Sequence, residues 1–200
     1  MQKKWIVLGV IVVLALVVGG SCVSKYNGLV SLDQKVKGQW AQVQNAYERR
    51  AALIPNLVET VKGAANFEKE TYIAVAEARS KAQQTSAAVG DPTTDPAKLK
   101  EFEAAQNNLS GQLSKLMVVV ERYPDLKATQ NFRDLQAQLE GTENRITVER
   151  QRFNETAQEF NTTRDSFPMN VFAGLFGSKF AEKAYFQASA GAETAPKVKF

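Results

Sequence analysis

The sequence contains no histidine, and Cys22 is its single cysteine. These residue types are the usual soft ligands of metals in proteins, and histidine is the usual general base near neutral pH. Their scarcity excludes zinc sites, cysteine–histidine nucleophiles and serine–histidine–aspartate triads. Carboxylates, lysines and tyrosines remain, but no pair of them stands out. We therefore predict a protein that is not an enzyme, with no catalytic residue, no metal site and no cofactor.

Acidic residues are missing from the N-terminal region, where none occurs before Asp33. Lys3, Lys4 and Lys25 lie in this region and account for most of the net charge of +4. Of the 25 basic residues, 22 remain without these three, against 21 acidic ones. A surface for DNA or RNA needs a clear excess of lysine and arginine. The nearly neutral body therefore predicts no nucleic-acid partner.

Charges are also absent from the nineteen-residue run WIVLGVIVVLALVVGGSCV. A helix of this length covers roughly 28 Å, about the thickness of the hydrocarbon core of a bilayer. We predict a transmembrane anchor over residues 5–23, which includes Trp5, Ile6, Leu14 and Val18.

Lys3 and Lys4 precede this run in a short tail, residues 1–4. The positive-inside rule places such a tail in the cytoplasm. We expect a single-pass protein of the cytoplasmic (inner) membrane, whose body beyond residue 25 is extracytoplasmic and faces the periplasm. The membrane is thus a predicted partner.

Two alternatives to an uncleaved anchor remain open. The apolar run 6–18 also fits the hydrophobic region of a cleaved signal peptide, although no alanine-type cleavage site follows it. The sequence GGSC at positions 19–22 resembles a bacterial lipoprotein junction, in which Cys22 carries the lipid.

The apolar residues beyond Tyr26 recur at steps of three and four, which is the period of an α-helix. No stretch keeps the two-residue alternation of a strand, so the predicted fold class is all-α. Gly90, Pro92 and Pro96 predict a loop between positions 87 and 97. For residues 26–168 we predict an elongated antiparallel up-and-down four-helix bundle, packed as in a coiled coil. Its helices are expected at about 28–52, 55–88, 97–123 and 129–167.

Pro55 interrupts the apolar pattern of ERRAALIPNLVETVK, residues 48–62. Proline removes a backbone donor and clashes with the carbonyl four residues back, so it either kinks a helix or marks a turn. A turn gives four helices of comparable length, and proline suits the first turn of a new helix. The apolar phase, however, continues past Pro55. We expect a turn, with a kink as the alternative.

Phenylalanine is concentrated toward the C-terminus. Phe153, Phe160 and Phe167 recur at seven-residue steps and predict a core stripe on the last helix. The aromatic, amphipathic segment 169–187 either lies in a bilayer interface or folds back over the end of the bundle. Residues 188–200 are expected to form a flexible C-terminus. The apolar residues of the aromatic segment include Phe172, Leu175, Phe176, Phe180 and Phe186.

Several motifs follow the apolar run in order: RRAALIPNLVETVKG, VVVERYPDLKA, FRDLQAQLEGTE, FN-x5-FN and SFPMNVFAGLFG. Together they make nearly the whole chain similar to the LemA family of bacterial membrane-anchored proteins. The GGSC junction departs from this family, which more often runs from its anchor straight into the bundle. The motif residues that we single out are Arg49, Arg50, Pro55, Asn56, Tyr123, Pro124, Asn154 and Asn161.

The resemblance implies a single-pass anchor, a helical bundle outside the cytoplasmic membrane and no established enzymatic activity. Similar proteins are often encoded beside membrane zinc metalloproteases of the HtpX type. We predict a non-catalytic scaffold or adaptor of the cell envelope, linked to such a protease or to envelope quality control. The alternative is a lipid-interacting, membrane-remodelling protein that acts through the aromatic segment.

Two places in the sequence are candidate contacts with a partner. Arginines are enriched at interaction hot spots, so an exposed Arg49–Arg50 pair could serve, but the sequence favours a solvated helix end as its explanation. At the C-terminus, Val198 and Phe200 of PKVKF suit strand addition to a groove of an envelope protease or another membrane protein. A homo-oligomer is a further alternative.

Overall fold

The computed structural model describes residues 2–64, 67–171 and 177–187. Within these ranges the regular elements are all helices, which confirms the all-α prediction. Five α-helices are followed by a short 3-10 helix, Gly177–Phe180. The α-helices are α1 (Gln2–Lys62), α2 (Lys69–Val89), α3 (Pro96–Val120), α4 (Pro124–Lys127) and α5 (Gln130–Asp165).

Four of these helices form the bundle. α1 packs against α5, α2 packs against α3, and α1 also contacts α2. The end of α2, the start of α3 and the end of α5 all meet the part of α1 that begins at Leu29. The helices therefore alternate in direction, as the predicted up-and-down bundle requires.

Two apolar clusters fill the bundle. We call the one nearer the predicted anchor the proximal cluster and the other the distal cluster. Both are built from residues at helical spacing, so that each helix contributes one stripe to the core. Principal members of the proximal cluster are Leu29, Val36, Trp40, Tyr47, Phe102, Phe153 and Phe160, and those of the distal cluster are Ile54, Leu57, Val61, Val75, Leu109, Leu116 and Phe132.

α1 passes through Pro55 without a turn and ends at Lys62, so the predicted turn at Pro55 is wrong. The chain reverses instead between α1 and α2, and the helix boundaries expected around Pro55 shift accordingly. Ile54 and Leu57, on either side of the proline, are both buried in the distal cluster. Because the apolar phase continues across Pro55, one uninterrupted helix can bury both sets of side chains.

The predicted core stripe of α5 holds for Phe153 and Phe160, which are fully buried, but is wrong for Phe167. α5 ends at Asp165, and Phe167 is 83% exposed. Phe167 precedes Pro168, and the residue before a proline is biased away from helical geometry. The helix therefore stops before a third phenylalanine can reach the core.

The N-terminal part of α1 lies outside both clusters, with Trp5, Ile6 and Leu14 exposed. Among the described residues, α1 contains the one segment that is long and apolar enough to cross a membrane. The side chain of Val18 lies outside the described residues. Cys22 is half-buried within α1, and its lipidation stays a prediction, as does the division into tail, anchor and body.

Candidate functional site

Pro55 has no backbone N–H, so the carbonyl oxygen of Ala51 loses its usual helical donor. Arg79 of α2 supplies a replacement, because its Nε donates to the Ala51 oxygen at 2.7 Å. A buried carbonyl without a donor costs roughly 1–3 kcal/mol. The arginine therefore compensates for the proline and at the same time fastens α2 to α1.

A layer of polar side chains lies between the two apolar clusters, with Arg50 at its centre. The Arg50 guanidinium donates to Ser110 Oγ and to Gln106 Oε1, both at 2.6 Å. It also pairs with Glu143 Oε2 at 3.0 Å and stacks over the Tyr47 ring at 5.1 Å. One buried charge is thus shared by α1, α3 and α5. Because a shift of any helix would leave that charge unpaired, the layer specifies their register.

The structure separates Arg49 from Arg50, which the sequence suggested as an exposed pair. Arg50 is 1% exposed, so the prediction that it contacts a partner is wrong. Arg49, about 100° further round the helix, is exposed and lines a groove of about 480 Å³ between α1 and α5. A solvated helix end is also the wrong explanation, since α1 continues to Lys62.

Asn154 and Asn161 hold the segment 177–187, which we call the C-terminal strap. Asn161 Nδ2 donates to the carbonyl oxygen of Lys183 at 2.9 Å, and Asn161 Oδ1 accepts the Lys183 N–H at 2.8 Å. Asn154 makes the same two bonds with Phe186, both at 2.9 Å. Each side-chain amide thereby takes the place of a neighbouring peptide group for an otherwise unpaired segment.

The spacing of the two asparagines matches the spacing of the residues that they hold. Asn154 and Asn161 are two helical turns apart, roughly 10.5 Å along α5. Lys183 and Phe186 are three residues apart, which in an extended chain is roughly 10 Å. In FN-x5-FN each phenylalanine enters the proximal cluster while the following asparagine faces the strap. The motif therefore builds the core and clamps the strap with one repeat.

Lys183 connects the strap to the start of the bundle. Its side chain is 2% exposed, and its Nζ lies 2.6 Å from Asp33 Oδ1 on α1. Lys37 pairs with the same carboxylate at 2.8 Å. Burial opposes the ionisation of Asp33, but the hydrogen bonds from Lys183 and Lys37 outweigh it and lower the pKa of Asp33. Asp33 is therefore ionised near neutral pH.

Further contacts cover the strap along its length. Arg164 Nε donates to the Phe180 carbonyl at 2.7 Å, and the Ala184 N–H donates to the Thr93 carbonyl at 2.8 Å. Phe180 and Phe186 are buried, which agrees with the fold-back alternative for these two residues. Phe172, Leu175 and Phe176 of the aromatic segment lie outside the described residues, as do Val198, Phe200 and the predicted flexible C-terminus.

Asn56, Tyr123 and Pro124 lie at the distal end, away from the strap. Tyr123 packs its ring against Phe67 with centroids 4.9 Å apart, and Pro124 begins α4. Tyr123 and Pro124 line a cavity of about 680 Å³. Asn56 is exposed, and its carbonyl accepts a hydrogen bond from Thr60 Oγ1 at 2.8 Å. The motif residues thus occupy separate places and form no single site.

The sequence alone did not identify several of the residues that make these contacts. The proline implied a free carbonyl, but nothing in the sequence pointed to Arg79 as its donor. Asp33 and Lys183 lie far apart in the sequence and carry no local signal. In the part of the chain that the structure describes, no group of three or more His, Cys, Asp or Glu side chains could hold a metal ion.

Burial also raises the pKa of Glu103, although Arg150 and the backbone of Gln187 pull in the opposite direction. The Glu103 carboxylate pairs with Arg150 at 2.5 Å, and Arg150 donates to the Gln187 carbonyl at 3.1 Å. Burial likewise raises the pKa of Tyr47. These groups make contacts between helices, or between helices and the strap. Their arrangement therefore suits a role in holding segments of the chain together.

Comparison with known proteins agrees with the motifs. The model of the LemA family matches residues 39–200. Magnetosome protein MamQ 2 of Paramagnetospirillum magneticum is 23% identical over 185 residues, which cover 85% of this chain and 67% of the relative. Protein LemA of Metamycoplasma hominis is 26% identical over 152 residues, which cover 76% of this chain and 64% of the relative.

Proposed function

We propose that this chain, which belongs to the LemA family, is a non-catalytic scaffold of the bacterial cell envelope. Family membership and the apolar N-terminal helix support a membrane-associated protein. The finer role is to hold a helical bundle at a defined position above the membrane and to present its surface to a partner.

The observation that carries this proposal is the continuity of α1. One helix contains both the candidate span and the stripe that enters both apolar clusters, from Leu29 to Val61. A flexible linker would let a bundle tumble, whereas a continuous helix transmits the orientation of the span to the bundle. This property suits a scaffold that presents its surface to a partner at a fixed position.

For topology, we propose that residues 1–4 are cytoplasmic, that 5–23 span the inner membrane, and that 26–200 lie outside it. Protease added to intact cells should spare the body, and opening of the outer membrane should expose it. Digestion that requires lysis of the inner membrane would reverse the proposed orientation.

For partners, we propose an envelope protease or another membrane protein with a peptide-binding groove. The strap ends at Gln187, next to Phe186, whose ring stacks on Trp40 at 6.0 Å. Trp40 lies seventeen residues beyond Val23, roughly 25 Å by helical rise. The remaining C-terminal residues, including Val198 and Phe200, would begin at about this distance from the end of the predicted span and would dock by strand addition.

Mild solubilisation of membranes should recover a stoichiometric partner with the full-length chain. Removal of residues 198–200 should abolish co-purification without changing the melting temperature. Isolation of a lone monomer or of a homo-oligomer under several mild detergents would count against an adaptor role. A truncation that lowers the melting temperature but keeps the partner would show that the tail is structural.

A second candidate, contact with lipid, is favoured by the exposure of Phe167 and Val171. The strap residue Phe180 packs against Tyr26, with ring centroids 5.6 Å apart, so this end of the bundle lies beside the predicted span. Apolar side chains here would meet the bilayer interface. A fragment lacking residues 1–25 should then float with anionic liposomes, and F167S with V171S should abolish flotation. Flotation that the two substitutions leave unchanged would reject this surface.

A further inference from the structure

The groove beside Arg49 has a basic character that the bundle itself does not explain. Arg49 and Arg145 line it from α1 and α5, and no acidic residue is among its lining residues. Arg49 makes no hydrogen bond or ion pair with any described residue. One of the two arginines thus has its full hydrogen-bonding capacity available to a ligand.

An ion pair with a buried carboxylate fixes the position of Arg145. Its Nε lies 2.7 Å from Glu149 Oε1, and the Glu149 side chain is 1% exposed. Gln39 Nε2 donates to the other oxygen of Glu149 at 2.7 Å, and Arg152 also pairs with Glu149 at 3.2 Å. Because Glu149 engages the Nε of Arg145, the two terminal nitrogens of that guanidinium stay available. A carboxylate fits two such nitrogens in a bidentate pair.

The interface between α1 and α5 around this groove carries an excess of positive charge. Of the four arginines there, three pair with two carboxylates, Glu143 and Glu149, and Arg49 pairs with no described residue. An acidic group that enters the groove would therefore be attracted rather than repelled. The four arginines are Arg49, Arg50, Arg145 and Arg152.

Gly141 forms part of the floor of the groove, in the middle of α5. Glycine within a helix lowers its stability relative to alanine. A Cβ atom at position 141 would meet nothing within 4 Å, so packing inside this chain does not require glycine. The missing side chain leaves room for an incoming backbone, and the groove also presents the amides of Gln42, Asn45 and Gln138.

We propose that this groove binds an acidic segment of a partner protein, with a carboxylate of that segment held by Arg49 and Arg145. The volume of about 480 Å³ is far more than a single carboxylate needs, and the amides suit a peptide backbone. The assignment rests on the proposed scaffold function and adds the chemistry of the partner.

The test uses the full-length protein in detergent micelles and a fluorescein-labelled hexaglutamate amide, with binding followed by anisotropy. R49Q combined with R145Q should weaken binding by about tenfold, since charge-assisted bidentate contacts are lost. R133Q removes the same charge from an exposed position of α5 and should change binding by less than about twofold.

A second pair of variants separates binding from folding. G141Q fills the groove, so it should raise the melting temperature and weaken peptide binding. G111Q is the matched control, because Gly111 also lies mid-helix with nothing within 4 Å of its would-be Cβ. It should raise the melting temperature and leave binding unchanged.

Two results would overturn the proposal. They are absence of peptide binding, and equal losses for the R49Q–R145Q pair and for R133Q. If the peptide does not bind but inorganic phosphate binds in a way that depends on the two arginines, the groove is a site for small anions. Each result leaves the co-purification test of the scaffold standing on its own.

Discussion

The distal cluster is built mainly from aliphatic side chains of helices that follow one another along the chain, whereas the proximal cluster is rich in aromatic rings and includes the C-terminal strap. In the distal cluster, Leu109 and Leu116 meet Ile54 and Leu57 without help from an extended segment. In the proximal cluster, Phe186 packs its ring edge-to-face on Phe153 at 5.4 Å.

The difference lies in how the last apolar surface is covered. The strap has no helical hydrogen bonds over residues 181–187, so side chains of other elements bond its backbone. The proximal cluster therefore depends on polar side chains that hold the strap, and the distal cluster does not. We expect the strap to open at lower free energy than the bundle, as a local unfolding unit.

The largest expected effect comes from Phe153→Ala, which should cost about 3–5 kcal/mol because it leaves a cavity among aromatic rings. The free energy of unfolding from urea denaturation measures it. Leu116→Ala is the distal counterpart, at about 2–5 kcal/mol, and should leave the strap attached. Val148→Ala, at an exposed position of α5, should cost less than about 1 kcal/mol. Comparable losses at positions 153 and 148 would reject the assigned core face.

Asp33→Asn should cost about 3 kcal/mol, because it leaves the buried ammonium of Lys183 without its counter-ion. Lys183→Met combined with Asp33→Asn should recover part of the loss. Proteolysis or hydrogen exchange should locate the effect in the strap. If the loss spreads to the distal cluster, the two ends are not separable units.

The same pair predicts a dependence on pH. The pKa of Asp33 is below its ordinary value of 3.8, so the folded state binds fewer protons than the unfolded state near pH 4. The stabilisation is present above that pH and is lost as the pH falls through the folded pKa. Glu103, whose pKa is raised, contributes in the opposite sense. The comparison of wild type with Asp33→Asn across this range therefore isolates Asp33.

Asn161→Ala should cost about 2 kcal/mol, since the buried N–H and carbonyl of Lys183 lose their partner together. Hydrogen exchange should speed up at Lys183 and its neighbours and stay unchanged in α2. Asn154→Ala should act in the same way at Phe186. If neither substitution changes exchange in the strap, the asparagine clamp does not hold it.

Arg79→Met should cost about 1–2 kcal/mol, because the Ala51 carbonyl loses its donor. In a Pro55→Ala background the helix supplies its own N–H, so the same substitution should cost about 1 kcal/mol less. A thermodynamic cycle over the two positions measures this coupling. Additive losses would mean that Arg79 does not compensate for the proline.

The smallest expected effect on stability is that of Arg49→Ala, less than about 1 kcal/mol, because its side chain is exposed and unpaired. Arg50→Ala, one position on, should cost several times more, since Ser110, Gln106 and Glu143 lose a shared donor. Thermal melts of the two variants compare neighbouring arginines directly. Similar melting temperatures would contradict the burial of Arg50.

Much of the fold could be predicted because its signals are local. The three-four spacing identified the buried stripes of α1, α3 and α5, apart from Phe167. The loop around Gly90 was predicted from turn chemistry, and the Asp95 side chain begins α3 by accepting the N–H groups of Ala97 and Lys98. Such features depend on neighbours within one or two turns, so a single sequence contains them.

The turn at Pro55 was predicted wrongly for a physical reason. A proline within a helix is unfavourable when the carbonyl four residues before it finds no donor. Here the carbonyl is that of Ala51, and its donor is Arg79 of α2. The burial of Arg50 also depended on acceptors from α3 and α5. Neither residue type nor spacing in α1 indicates that these partners will be within reach.

The sequence by itself determined the helical class, the apolar N-terminal segment and the faces that α1, α3 and α5 bury, because periodicity records which side chains must leave water. Only the tertiary structure decided where polar groups go. The free energy of burying Arg50, Lys183 or the Ala51 carbonyl depends on donors and acceptors from other elements. Those partners come together only once the four helices and the strap have packed.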